Sequence, residues 1–478
     1  MAGKVWYWSR KRREASAFSL QAWRDGVPAA SDAVIVIDDC PLPPAWRAAG
    51  EPFVLNAEAS AFAQLKPAEM KRRLARSGVR IEDTAGSAGS RNFAVSVFHL
   101  QPIEVQRVMP AAASHSFSRS GASAAWAAEG AAESRQQLDP ADPLYIRLTR
   151  LALKALHALG LELAVVSIHT EGSGRCTVKA VELPEIAALG GTVWDKAIQK
   201  FAADWQTGQF ALPGRENKDK EQLIGADPEF LLLSKQGKVV SAARYLEGGH
   251  GTGCDAVVVG GRVMYPVAEL RPAPASTPVR LAHHIHQLLL QANMRISDQT
   301  LRWAAGGMPA PGFALGGHIH LSGVKLTSRL LHQLDSYLAL PLAMIESANE
   351  QLRRPRFGSL GDFRFQPHGG FEYRTLPSWL VSPLAAKGAF ALMLLCARET
   401  DQLLYLPSRE ERIIDAYYSG DRIQLRGCLE PLIAAMKATR SYEELSRWIE
   451  PLMNAALQGR IWDTQADIRL KWRIPAKE

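Results

Sequence analysis

Apolar residues along the chain recur with two periods, and these divide it into elements. Val34-Ile-Val-Ile37 is an unbroken apolar run closed by Asp38 and Asp39, which predicts a buried strand. Residues 67–78 read as a helix, with Pro67 at its start, Met70 and Leu74 in the apolar stripe and Gly78 past its end. Val79-Arg80-Ile81 begins a strand, and 93–100 alternate as one. Over 144–159, Ile146, Leu148, Leu151, Leu153, Leu156 and Leu159 predict a helix that Gly160 caps. Strands 161–168 and 176–183 flank the turn Glu171-Gly-Ser-Gly174, and a helix over 194–205 follows. The Ala-, Ser- and Gly-rich stretch 111–134 offers little to pack beyond Phe117 and Trp126, so it reads as a loop or mobile segment.

Polar residues with Gly, Pro and a Lys/Glu run fill 207–222 and set a boundary. The expected division is a domain over 1–205, a linker over 206–221 and a second domain over 222–478. The second opens with the strand Leu223–Leu233, where Pro228 implies an edge or a bulge. Lys235-Gln-Gly-Lys238 turns into Val239-Val240, and 248–253 form a Gly-rich loop. Val257–Val259 and Val263–Leu270 flank Gly260-Gly261, a two-residue hairpin signal. Helices are predicted over 278–296 and over 326–353 with a break at Pro341, then a strand over 370–376. Residues 383–472 are mostly helical, with a break near Ser419-Gly420. The second half is therefore α+β with antiparallel strands, and the first α/β. No internal repeat stands out.

Composition narrows the setting. At 478 residues the chain exceeds one ordinary core. Its formal net charge of +8 suits anionic ligands without choosing among them. Arginines cluster at 353, 354, 356, 364 and 374, but no zinc-finger spacing or basic tail occurs, so no nucleic-acid partner is expected. The five cysteines are odd in number and widely spaced, as for reduced thiols. The N-terminus has no apolar signal core, and no apolar run reaches the ~18 residues a membrane span needs. The expected location is the cytoplasm, away from membranes.

Candidate chemistry gathers in the second half. In Gly316-Gly-His-Ile-His-Leu-Ser322, a strand would project His318 and His320 from one face, and the glycines would admit a close backbone or ligand. Two adjacent imidazoles suit a metal or a phosphate; the alternative is a half-buried, hydrogen-bonded strand pair. The same alternation pairs Asp227 with Glu229, Glu269 with Arg271, and Glu372 with Arg374. Four carboxylates converging on one cavity would repel unless divalent cations lie between them. One His among carboxylates favours Mg²⁺ or Mn²⁺ over structural zinc. Arg271 and Arg374 would then meet phosphoryl or carboxylate oxygens, the equipment of phosphoryl transfer. A surface ladder pair is the alternative for Glu269 and Arg271. Asp255 is either a further ligand or a loop cap, and Cys254 reads as a buried thiol rather than a nucleophile. His283, His284 and His286 read as exposed or capping helix residues rather than a zinc site.

Gly-Ala-Asp-Pro-Glu-Phe (225–230), Ala-Glu-Leu-Arg-Pro (268–272), Gly-Gly-His-Ile-His-Leu-Ser, Leu-Gly-Asp-Phe-Arg (360–364) and Phe-Glu-Tyr-Arg-Thr-Leu-Pro-Ser-Trp (371–379) occur in order. Together they resemble the phage-type amidoligases, carboxylate–amine ligases of the glutamine synthetase and glutamate–cysteine ligase superfamily. The resemblance covers about 222–400. It implies a glutamine-synthetase-like antiparallel sheet, with ATP phosphorylating a carboxylate and an amine displacing phosphate. It assigns Glu229 and Glu269 to a metal on the acceptor side, and Asp227, His318 and Glu372 to a metal over the ATP phosphates. It gives Arg374 to the transferring phosphoryl, Arg364 to the acyl phosphate or substrate carboxylate, and His320 to the nucleotide's vicinity. Asp227 departs from the usual glutamate and is shorter, which suggests reach through water.

The first half resembles an ATP-grasp fold at Val54-Leu-Asn56, at 66–80 and at Val178-Lys-Ala-Val-Glu-Leu-Pro184. Where that family carries metal-binding side chains, Ser167, His169 and Pro184 stand, and Glu182 alone survives. A degenerate ATP-grasp-like module is expected. The reading is an ATP- and Mg²⁺- (or Mn²⁺-) dependent ligase forming an amide or isopeptide bond between small-molecule or peptide substrates. The alternatives are a carboxylate kinase or phosphotransferase, and a nucleotide-binding scaffold in a surface or coat assembly.

Overall fold

A computed structural model of the chain describes residues 3–10, 27–44, 46, 52–81, 91–109, 134–172, 174–185, 192–208, 221–247, 249, 251–259 and 262–476. The stretch 111–134 (apart from Ser134), most of the expected linker, Gly248 and the Gly260-Gly261 turn lie outside the described residues. The chain separates into two compact units, Met1–Thr207 and Gly208–Glu478.

In the first unit, β1 (Val5–Trp8), β2 (Ala33–Val36) and β3 (Phe53–Leu55) form a parallel sheet. All of β2 is buried, which explains its unbroken apolar run, since parallel strands are covered on both faces. Helix α1 (Pro67–Arg76) starts on Pro67 and stops before Gly78, whose φ is 76°. Of the strand expected from Val79, the described residues hold one bridge, Ile81 with Val178, and 82–90 lie outside them. A second, antiparallel sheet has the order β6-β5-β4-β7-β8. Its strands are β4 (Arg91–Phe98), β5 (Gln101–Met109), β6 (Ser134–Gln137), β7 (Leu163–Thr170) and β8 (Cys176–Glu182). The strand expected to reach Leu100 ends at Phe98, because His99 and Leu100 adopt φ of 43° and 64° and turn the chain into β5. Patterning misses β5 because Val105 is its one fully buried residue. Helix α2 (Pro143–Leu159) is capped by the Asp142 side chain and ended by Gly160 at φ 72°. Helix α3 (Val193–Gln206) closes the unit.

The second unit is built on an eight-stranded sheet ordered β11-β12-β9-β14-β16-β15, with β10 and β13 also on β9. The strands are β9 (Leu223–Leu233), β10 (Val239–Val240), β11 (Gly251–Val259), β12 (Arg262–Arg271), β13 (Arg302–Ala304), β14 (Gly317–Ser322), β15 (Phe363–Phe365) and β16 (Phe371–Tyr373). Every recorded pairing is antiparallel. Pro228 lies in an interior strand, contrary to the edge or bulge expected of it. It falls where β9 changes partners: residues 223–228 pair with β14, and 229–231 with β12. The missing N–H therefore comes at the end of one ladder. Gly251 and Gly253, expected in a loop, are strand residues of β11. At Gly317 a Cβ would lie 2.5 Å from the Pro377 carbonyl and 2.7 Å from Trp379 Nε1, so the close approach is by the protein's own chain.

The back of the sheet is apolar. Ile319, Leu321, Phe230 and Tyr373 are buried there, and Phe230 stacks on Trp303 at 4.9 Å. Helix α4 (Pro278–Arg295) follows β12. Helix α5 (Ser328–Leu334) continues through a π-helical turn, Asp335–Ala339, into α6 (Leu340–Ile345). Pro341 was expected to break this helix. The irregularity instead precedes it, and the chain leaves the helix at Glu346. Helix α7 (Pro383–Arg398), which holds the longest apolar run, is buried from Ala385 to Ala397 apart from Lys387. Helix α8 (Glu411–Ser419) ends at Gly420, φ 74°, and α9 (Tyr442–Leu457) lies beyond. No helix among the described residues is long and apolar enough to cross a membrane. All five cysteines are free.

One residue staples the first unit. Asn56 follows β3 at φ 59° and is fully buried. Its Oδ1 accepts from the Glu162 and Leu163 amides, both at 2.7 Å, and its Nδ2 donates to the Leu163 carbonyl at 2.9 Å. Its own amide donates to Glu162 Oε2 at 2.6 Å. Truncation would strand three buried backbone groups and leave a Cβ-bearing residue at positive φ without its local compensation. Asn56→Ala should lower unfolding free energy by about 3 kcal/mol in urea titration. A loss below about 1 kcal/mol would show that water or a local shift replaces the staple.

Candidate active site

Strand alternation and register assemble the site. On β9, Asp227 and Glu229 face one side. Across the ladders, His318 stands opposite Asp227, and Glu269 opposite Glu229. His320 stands opposite both Gly225 and Glu372, and Arg364 opposite Glu372. Residues two apart share a face, so Arg271, Arg374, Asp255 and Gln366 join the same row. All nine residues singled out from sequence, Asp227, Glu229, Glu269, Arg271, His318, His320, Arg364, Glu372 and Arg374, line one cavity of about 1060 Å³. A second cavity, about 550 Å³, shares Glu229, Asp255, His318 and Arg374 with the first.

Glu372 is the most enclosed of these groups, with no exposed surface. His318 Nδ1 lies 3.2 Å from its Oε1 and 3.1 Å from Asp227 Oδ1. His320 Nε2 lies 3.3 Å from Asp227 Oδ2. Arg374 Nε sits 3.2 Å from Glu372 Oε1, and Arg364 Nη2 2.5 Å from Oε2. Gln366, absent from the sequence reading, donates to Oε2 at 2.9 Å. Its signal was its place two residues after Arg364. Glu229 Oε2 accepts from the Gly316 amide at 2.6 Å. Arg271 pairs with Glu269 and also donates to the Gly249 carbonyl at 2.5 Å.

The electrostatics follow from burial and neighbours. Burial alone would raise the Asp227 carboxyl, but His318 and then His320, close against its oxygens, outweigh it and hold it well below the usual range. Burial likewise disfavours the His318 imidazolium, yet Asp227 wins and raises it. Glu229 is pushed up to about 7 by burial. Glu269 is pushed up to about 8, by burial first and then by the charge of Asp227. Glu229 and Glu269 are thus the carboxyls of the row whose ionisation is disfavoured.

The donor set fits a hard divalent cation. One ligand atom each from Asp227, His320 and Glu372 lie within 4.8 Å of one another. Asp227 Oδ1 and Glu372 Oε1 are buried without a well-formed hydrogen bond. Oxygen-rich donors with an imidazole suit Mg²⁺ or Mn²⁺. The resemblance favoured His318 as ligand; the geometry brings His320 into the same group. Asp255 lines both cavities, and its Oδ1 also accepts from the Ala256 amide at 2.7 Å. Cys254 is buried with its thiol raised by burial, which makes it a poor nucleophile. His283, His284 and His286 belong to no metal-holding group among the described residues, and His284 Nδ1 lies 2.8 Å from the Ala273 carbonyl. In the first unit, Glu182 belongs to no such group either, while buried His169 faces Asn92 at 3.2 Å.

No curated protein matches the chain. Several solved structures resemble it distantly. An ATP-grasp ligase, PsnB, complexed with minimal precursor, is 10% identical, covering 42% of this chain and 99% of its own, with a TM-score of 0.28. The complex of the prokaryotic ubiquitin-like protein Pup with its ligase PafA is 11% identical, covering 53% and 67%, with a TM-score of 0.37. A bifunctional glutathione synthetase from Pasteurella multocida is 10% identical, covering 53% and 51%, with a TM-score of 0.34. The family model for phage phiEco32-like COOH.NH2 ligase-type 2 matches residues 224–474. That span is more than half of the chain and takes in the site-bearing sheet and the helices after it. The chain therefore belongs to the phage phiEco32-like type 2 COOH.NH2 ligases, a family of amide-forming carboxylate–amine ligases.

Proposed function

We propose that the chain joins a carboxylate to an amine at the expense of ATP, through an acyl phosphate. The observation that carries this reading is the meeting of two cavities at Glu229, Asp255, His318 and Arg374. A condensation driven by phosphoryl transfer needs two ligands to reach one charged centre from different sides. The larger cavity is assigned to the nucleotide and the smaller to the carboxylate and amine. Asp227, His318 and Glu372, with His320 beside them, would hold a cation on the nucleotide side, and Glu229 and Glu269 one on the acceptor side. Bound Mg²⁺ or Mn²⁺ supplies charge neutralisation at the phosphates and polarises the phosphoryl group.

The chain's own groups do the rest. Arg374 and Arg364 present guanidinium donors to oxygens that gain charge during transfer. Arg271 steadies Glu269 and presents its remaining donors to the cavity. A carboxylate oxygen attacks the γ-phosphorus and ADP leaves. The neutral amine then attacks the acyl carbon, and phosphate departs with that oxygen and takes up the proton that the nitrogen gives up as the amide forms. The first unit would scaffold or bind substrate without a second phosphoryl-transfer site.

Phosphate release screened against candidate carboxylates and amines tests the reading: release should require both. Release without amine would favour a kinase or hydrolase. Turnover should vanish after exhaustive chelation and return with Mg²⁺ or Mn²⁺; full turnover in chelator would sink the cation assignment. Glu372→Gln should reduce kcat by at least about a hundredfold, an electrostatic loss of ~3 kcal/mol, with an unchanged circular dichroism spectrum. An unchanged rate would leave Glu372 a structural role alone. Glu182→Gln should stay within about threefold of the parent rate, at most ~0.7 kcal/mol. A loss matching that of Glu372→Gln would reveal a second active centre in the first unit.

A further inference from the structure

Asp335 is the first residue of the π-helical turn between α5 and α6, and it is fully buried. Its Oδ1 accepts two hydrogen bonds, from the Tyr373 hydroxyl at 2.6 Å and from the Gly361 amide at 2.9 Å. Tyr373 lies between Glu372 and Arg374, so alternation turns its ring to the back of the sheet, where it is buried. Gly361 begins the segment that leads into β15 and Arg364, and the Arg374 amide donates to the Asp362 carbonyl at 2.8 Å. A single carboxylate oxygen therefore ties, from behind, the two strands that present Glu372, Arg374 and Arg364 in front.

Two observations mark this as more than packing. A buried carboxylate is costly compared with an apolar residue of similar size. A π-turn is an uncommon insertion into a helix, and it gathers at functional positions. Here the turn carries Asp335 to the back of β16. Asp335 itself lines neither cavity.

We propose that Asp335 is a positioning residue for the cation-holding cluster, acting through the Tyr373 hydroxyl and the Gly361 amide. The inference rests on the assignment of Glu372 as a cation ligand. Misplaced second-layer partners typically weaken metal affinity by about 10–100-fold. Asp335→Asn keeps an acceptor oxygen in place, Tyr373→Phe removes one donor and keeps the ring, and Asp335→Leu removes the acceptor.

The test is Mn²⁺ binding to the full chain, read by loss of the free-ion paramagnetic resonance signal, alongside thermal melting. Tyr373→Phe and Asp335→Leu should each weaken binding by about tenfold or more while folded, and Asp335→Asn by less than about threefold. If Asp335→Leu does not fold, Tyr373→Phe decides. A folded Tyr373→Phe that binds Mn²⁺ like the parent would overturn the proposal. So would melting temperatures that fall in all three variants with unchanged Mn²⁺ affinity. A parent chain that binds no Mn²⁺ would overturn the ligand assignment itself, and this inference with it.

Discussion

The constraint on which the second unit turns is the crowding of carboxylates on one face of its sheet. Glu229 and Glu269 stand directly opposite each other on neighbouring strands, a pairing that repels when both are charged. Burial compounds the cost, and each is pushed toward neutral pH, Glu229 to about 7 and Glu269 to about 8. A domain selected for stability alone would place apolar or opposite charges there. The arrangement makes chemical sense when cations and phosphate oxygens share the space, which is the economy of phosphoryl transfer.

The sheet supports this crowding through register and glycine. Because side chains alternate, one slip of β14 would turn both histidines to the apolar back and bury Ile319 and Leu321 in the cavity. Trp379 holds β14 in place, donating from Nε1 to the Gly317 carbonyl at 2.8 Å, and Gly317 leaves the room that contact needs. The Glu229 carboxylate, in turn, anchors the Gly316 amide. The front face is thus charged and the back face packed, and each residue type enforces the position of the other.

Much of this was legible in the sequence because the site depends on period two. Asp227-Pro-Glu229, Glu269-Leu-Arg271, His318-Ile-His320 and Glu372-Tyr-Arg374 each announce one face of a strand, and the structure brings all of them to one cavity. Ligand assignment was harder. His320 joins Asp227 and Glu372 through a cross-strand pairing that no local pattern encodes. Pro228 misled because a proline inside a strand normally marks an edge, and the change of partners in β9 is a tertiary event. In the first unit, β5 escaped because a mostly half-exposed strand with Pro102 and Glu104 has no alternation to read. The π-turn at Asp335 escaped because helical spacing alone does not distinguish an extra residue in a turn.

The acyl phosphate is the centre of the account, and isotope transfer tests it most directly. With a carboxylate and amine pair that supports turnover, the carboxylate is labelled with ¹⁸O and the released phosphate is weighed by mass spectrometry. The expected result is one labelled oxygen in each phosphate, because the oxygen that attacks the γ-phosphorus leaves with it. Label in AMP, or phosphate formed without label, would contradict the mechanism.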